Sequence, residues 1–324
     1  DYGAFLPSMD LAYNVSDDVV LRFAASRTMT RPNPNLMISG VNFSDLSAQN
    51  VNLGNPQLKP FFSNNLDLGV EYYTGGAGYV GVTAFRKSLS GFPASTNVTE
   101  PFSYLSQFGI NYAGLNVTQQ TALNGRGCTS DTSCSATVTV VEQINQPGLE
   151  IINGLEFDYV QPFDFLLADY GLEGFGFNGN LTILDQRSTG VAPSFAAGVA
   201  PMSYNVTAYY DHSGLSVRLS YVFTDKSYGT GTSNNQNVCL PSTAAAPYCP
   251  GGAYLFTAPY GQADMSSSLA LSKLFGELPT DPELTFDVQN IFKSKLRSYD
   301  QFTSATHYYY NQGSVFLFGI RGTW

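Results

Sequence analysis

An apolar/polar alternation of period two recurs along this chain and restricts its fold more than any other feature. In its cleanest stretch, Leu215, Val217, Leu219, Tyr221 and Phe223 alternate with Ser216, Arg218, Ser220, Val222 and Thr224. One face of an extended strand is then apolar and the other mostly polar. The rhythm returns in residues 66–73, 204–211 and 284–289, and at the C-terminal end in Phe316, Phe318, Ile320 and Trp324. Counted along the sequence, it predicts about eleven strands, near 4–15, 18–30, 63–74, 78–91, 149–162, 174–187, 202–211, 214–226, 260–274, 283–295 and 312–324. Such strands are long enough to cross a bilayer at a tilt.

The connections sort by length. Short ones fall at 16–18, 75–77, 163–173, 212–213 and 275–282, and long ones at 31–62, 92–148, 188–201, 227–259 and 296–311. A soluble sandwich has no reason to alternate its loops in this way, whereas an outer-membrane barrel has short periplasmic turns and long extracellular loops. Lipid cannot satisfy backbone polar groups, so a spanning sheet pairs every strand and turns one face to hydrocarbon. The expected fold class is therefore all-β, a transmembrane antiparallel β-barrel.

Composition agrees. Only 12% of residues are charged while 14% are aromatic, which suits a wall with an uncharged outer skin and excludes disorder and a charged helical bundle. The net charge of −10 argues against nucleic acid as a partner. No run approaches the roughly 18 apolar residues of a membrane helix. Asp1-Tyr2-Gly3 carries neither an initiator Met nor a signal segment, so the chain reads as processed or truncated.

Charges expected to point inward are Arg22, Asp67, Glu71, Arg86, Glu156, Asp158, Arg218, Asp287 and Arg321. Cys128 and Cys134, and Cys239 and Cys249, form two close pairs in the long loops, as expected of local disulfides in an oxidising compartment. Zinc is the weaker alternative, because neither spacing is C-x2-C. His212 and His307 fall at opposite ends of the wall, and no Walker loop, nucleophile elbow or metal-spaced cluster occurs, so neither an enzyme nor a metal or cofactor site is expected. The N-x-S/T sequons, two of them inside predicted strands, are read as chance.

Several motifs, taken in order, resemble those of the C-terminal barrel half of TonB-dependent receptors. They are Leu21-Arg22-Phe23-Ala24-Ala25-Ser26-Arg27-Thr28-Met29-Thr30-Arg31-Pro32, Gly54-Asn55-Pro56-Gln57-Leu58-Lys59-Pro60, Leu66-Asp67-Leu68-Gly69-Val70-Glu71-Tyr72-Tyr73, Phe85-Arg86-Lys87, Asn153-Gly154-Leu155-Glu156-Phe157, Pro259-Tyr260-Gly261-Gln262 and Phe286-Asp287-Val288-Gln289-Asn290-Ile291-Phe292. The resemblance implies a 22-stranded barrel of which residues 1–324 supply about eleven strands, with the plug domain and the rest of the wall outside this sequence. Strand parity agrees, because eleven strands closing on themselves would put the first and last parallel. Asp1 is then an internal boundary.

The same resemblance implies a bacterial cell outer-membrane, multi-pass receptor that takes up a scarce nutrient, with no cofactor. Its implied partners are outer-membrane lipid, the missing plug and wall, the TonB-ExbB-ExbD energy-coupling complex reached through that missing part, and the barrel assembly machinery, for which Trp324 is the expected signal. The 25–32 box is similar to the Caulobacter- and Xanthomonas-type branch associated with carbohydrate, with a siderophore-like cargo as the other reading. Haem is disfavoured, since residues 33–54 hold no His.

Candidate ligand-binding residues are Arg22, Arg86, Arg218, Glu156 and Asp158 in the lumen and Tyr248, Tyr254, Tyr308, Tyr309 and Tyr310 in the loops. Phe61, Phe62, Phe102 and Tyr104 are further aromatics able to stack on a ring. The alternatives left open are a self-contained porin or adhesin barrel and a secreted soluble all-β glycoprotein.

Overall fold

The computed structural model describes residues 3–190, 196, 198–233, 253–276, 278 and 280–322. In chain order the strands begin with β1 (Ser8–Asn14), β2 (Val19–Thr30), β3 (Val41–Asn42), β4 (Asn50–Leu53), β5 (Phe61–Tyr73), β6 (Tyr79–Ser90) and β7 (Pro93–Pro101). Helix α1 (Val117–Asn124) follows, then β8 (Thr137–Asn145), β9 (Gly148–Pro162), α2 (Asp164–Leu167), β10 (Phe175–Gly190), β11 (Met202–His212), β12 (Leu215–Thr224), β13 (Ser227–Ser233) and β14 (Ala253–Thr257). The last elements are β15 (Tyr260–Ala270), α3 (Ser272–Phe275), β16 (Glu283–Gln289), β17 (Leu296–Asp300), β18 (Thr306–Tyr310) and β19 (Val315–Arg321).

Eleven of these strands form one antiparallel sheet in the order β1-β2-β5-β6-β9-β10-β11-β12-β15-β16-β19. They answer one for one to the eleven strands expected from the alternation. The sheet does not close, and β1 and β19 are its edges among the described residues.

Four boundaries differ from expectation, the first in the strand expected at 4–15, which begins only at Ser8. The strand expected at 260–274 stops at Ala270 and turns into α3, and the one expected from 312 begins at Val315. The strand expected at 283–295 ends at Gln289, because Asn290 takes a left-handed φ of 53° that diverts the chain. The apolar run of Val288, Ile291 and Phe292 had disguised that break.

Register assigns each wall residue to one of two faces. Leu21, Phe23 and Ala25 pair with Val70, Leu68 and Leu66, which pair with Val82, Ala84 and Arg86. The same face continues through Phe157, Leu155 and Asn153 to Leu181, Ile183 and Asp185. Leu68 is 59% exposed and Phe318 80%; this is the lipid face of the alternation. The opposite face carries Arg22, Asp67, Glu71, Glu156 and Asp158.

The long loops have structure of their own, which the sequence did not show. Loops 31–62 and 92–148 share a four-stranded sheet, β3-β4-β8-β7, in which β4 and β8 are parallel. Loops 227–259 and 296–311 share a second, β13-β14-β17-β18. The first sheet has its own core of Ala48, Val51, Phe102, Leu105, Leu123, Cys128, Ala136, Val138 and Val140, set apart from the wall. Phe102, expected as a stacking aromatic, is only 1% exposed and belongs to that core.

Candidate ligand-binding surface

The loop body over 31–62 and 92–148 is assembled by polar stitching between its two halves. Asn55 donates to the Gln143 carbonyl at 2.8 Å, while Asn145 accepts from the Lys59 N–H at 2.7 Å and donates to the Lys59 and Gly91 carbonyls. The box at 54–60 is therefore a clasp between loops. Gly54 is required there, because a Cβ would stand 1.9 Å from the Ile38 carbonyl oxygen. Asn116 and Gln119 form a capping box that opens α1, and the Gln119 amide donates to the Phe43 and Asp45 carbonyls. Cys128 and Cys134 are bonded as a disulfide beside this core. Cys239, Cys249, Tyr248 and Trp324 lie outside the described residues.

Asp45 is the charged centre of the turn leading into β4. Burial works to raise its carboxyl, but the Ser47 hydroxyl and the N–H groups of Ser47, Asn50 and Gln49 hold it down at about 2. A folded-state value below the unfolded 3.8 contributes stability above pH 4 that is lost as pH falls through 2. Accordingly, Asp45→Asn is expected to open the loop body to protease at pH 7. The wild-type protein should become equally sensitive to an acid protease between about pH 4 and pH 2, a window in which the variant should change little from this cause.

The second loop sheet concentrates rings and cations. Tyr228 pairs with Phe256, Phe256 with Tyr299, and Arg297 with Tyr309, so these five side chains share a face. Phe256 stacks on Tyr299 with ring centroids 5.3 Å apart. Lys226 lies over Phe256, Arg297 over Tyr299 and Lys295 over Tyr309, at 5.1, 5.5 and 5.7 Å. Tyr308 and Tyr310 project to the other face, opposite Ser298 and Leu296. On β14, Tyr254 pairs with Thr232 of β13. His307 sits 3.2 Å from Asp300. The cations Lys226, Lys295 and Arg297 were absent from the sequence-derived set, since only the pairing of two distant loops brings them over the rings.

Within the lumen, Arg22 and Glu71 form an ion pair at 2.6 Å, with Tyr73 donating to the same carboxylate. Arg218 lies 3.9 Å from Asp211 and over the Tyr209 ring, and Arg321 is paired with Glu283 at 2.6 Å. Glu156 and Asp158 lie side by side on β9 with no cation within 4 Å among the described residues. Glu150, at the loop end of the same strand, is completely buried, and among the described residues no side-chain partner meets its carboxylate, a feature the sequence did not mark.

Arg86 departs from expectation. It shares a face with Leu66, Ala84 and Leu155 and points outward, whereas its neighbour Lys87 takes the lumen side. Inward charge was inferred from polarity alone, but strand geometry allows only one of two adjacent residues to face the lumen. Near the rim an outward Arg costs about 0–1 kcal/mol rather than the 2–4 of the midplane.

An open antiparallel sheet with an apolar outer skin, an ionic inner face and structured loops at one end is the wall of a bacterial outer-membrane β-barrel. Residues 1–291 match the family described as TonB dependent receptor-like, beta-barrel, and the chain belongs to that family, one of receptors rather than enzymes.

Among solved structures, the chain is similar to a mutant ferric enterobactin receptor from Pseudomonas aeruginosa in complex with enterobactin (18% identity, TM-score 0.62, 97% of this chain and 40% of that one). It is also similar to the siderophore receptor PirA from Acinetobacter baumannii (15%, 0.60, 97% and 40%). A third is FpvA of P. aeruginosa bound to a heterologous pyoverdine (12%, 0.58, 99% and 33%). At these identities the likeness shows the fold. The chain spans 40% or less of the length of these receptors. Comparison with curated proteins found no match.

Proposed function

We propose that this chain supplies about half the wall and the surface binding loops of a receptor for active, TonB-dependent uptake of a scarce nutrient. The plug and the remaining strands would come from the rest of the protein, and energy from the TonB-ExbB-ExbD complex acting through that part. The observation that carries this reading is the pairing of loops from separate hairpins into surface sheets above an ionic lumen, an arrangement suited to capture cargo outside the pore. Uptake of the cargo that fails when the proton gradient is collapsed supports the reading; equal uptake by passive leak through the purified barrel sinks it and favours a porin.

Between the two cargo classes, the face formed by Lys226, Tyr228, Phe256, Arg297, Tyr299 and Tyr309 favours a ring-bearing anion such as a siderophore over a neutral sugar. Arg297→Ala is expected to weaken binding of an anionic ferric siderophore about tenfold, measured by fluorescence quenching on the intact receptor. Preferential binding of a neutral oligosaccharide, unaffected by that substitution, reverses the assignment.

A further inference from the structure

Outward-facing guanidinium groups stand at the loop end of the apolar skin. Arg27 shares its face with Phe23 and Ala25, and Arg86 shares the same face one strand beyond β5. The residues between them on that face are Asn64, paired to Arg27, and Leu66, paired to Arg86. Ser88 pairs with Asn64 from the other side. Strands lie about 4.8 Å apart, so the two Arg residues flank Asn64 and Leu66 across about 10 Å.

Both guanidiniums are exposed, and neither has a carboxylate within 4 Å among the described residues. Arg86 only reaches the Asn153 amide oxygen at 3.5 Å, and Arg27 lies over the Phe62 ring at 4.6 Å. Asp185, the acid on this face two strands away, is occupied by Arg187 at 2.6 Å. Directly below lie Leu21, Phe23, Leu68, Val70 and Val82, an apolar surface fit for acyl chains. Planar guanidiniums bind phosphate by paired hydrogen bonds, and basic groups at a membrane surface select anionic headgroups.

We propose that Arg27, Asn64 and Arg86 form an outer-leaflet lipid site that holds the phosphate of a phosphorylated glycolipid, its acyl chains lying on the skin below. The proposal rests on the outward orientation of the wall and not on the cargo, so an error in the cargo leaves it standing. The test is native mass spectrometry of the intact receptor in mild detergent, titrated with lipid A bearing two phosphates. Wild type should retain this lipid, and R27A/R86A should retain it at least tenfold less. Lipid A stripped of phosphate should bind wild type as poorly as the intact lipid binds the variant.

Equal retention by wild type and variant overturns the site, as does equal retention of the dephosphorylated lipid. Displacement by stoichiometric inorganic phosphate also overturns it, by showing a free-anion site. If R27A/R86A loses its heat-modifiable gel mobility, Arg27→Gln and Arg86→Gln read separately give the same decision. Each should then lower retention.

Discussion

Phe102→Ala should leave the wall intact and destroy the surface. Phe102 is 1% exposed in a core that contains no wall residue, and truncating a buried Phe costs about 3–5 kcal/mol. A body this small cannot absorb that loss. Limited proteolysis should therefore cut within 92–148 in the variant at protease levels the wild type survives, while heat-modifiable gel mobility stays unchanged. Cargo binding that uses these loops falls with it. Loss of heat modifiability instead would mean that the loop body supports the wall, contrary to the separation of their cores.

The second large effect is expected at the opposite edge of the wall. Asn290 is completely buried in a left-handed conformation. Its backbone N–H donates to Asp264 at 2.7 Å and its carbonyl accepts from the Ser314 hydroxyl at 2.8 Å. Its side chain accepts from the Ser294 N–H at 2.7 Å and donates to the Ser294 and Gly313 carbonyls at 3.0 and 2.9 Å. One side chain thus ties the end of β16 to the segments entering β17 and β19. Asn290→Ala leaves part-buried backbone groups of Ser294 and Gly313 without their partner, at up to about 1–3 kcal/mol each, in a conformation that alanine disfavours. Urea unfolding of the refolded barrel should lose about 2–5 kcal/mol, and Asn290→Gly should recover only the backbone share.

The wall was legible because lipid imposes a rule on every second residue. The stretch Leu215, Val217, Leu219, Tyr221 and Phe223 announces β12 without reference to anything distant. Rules weaken where the lipid ends. Arg86 and Lys87 stand together at the rim, and only the pairing of β6 with β5 and β9 shows which one turns outward. Asn290 was visible as part of a familiar motif, but its left-handed turn was not, since the apolar residues around it continue the strand rhythm. The loop sheets were hidden because β4 takes its partner from β8 and β14 from β17, and such pairings leave little local pattern. The same distance concealed Lys226, Lys295 and Arg297 as one basic, aromatic face.

The parallel pairing of β4 with β8 also sets an order of assembly. Asn50 to Leu53 match Thr139 to Glu142, so the first surface loop has no finished form until the wall hairpin β5–β6 and nearly the whole of the next loop have been delivered. Contacts across such sequence distances form late, after their closure entropy has been met by other structure. The nascent barrel would then insert with its outer mouth unclad, and the receptor would gain its recognition surface only as a closing step of biogenesis.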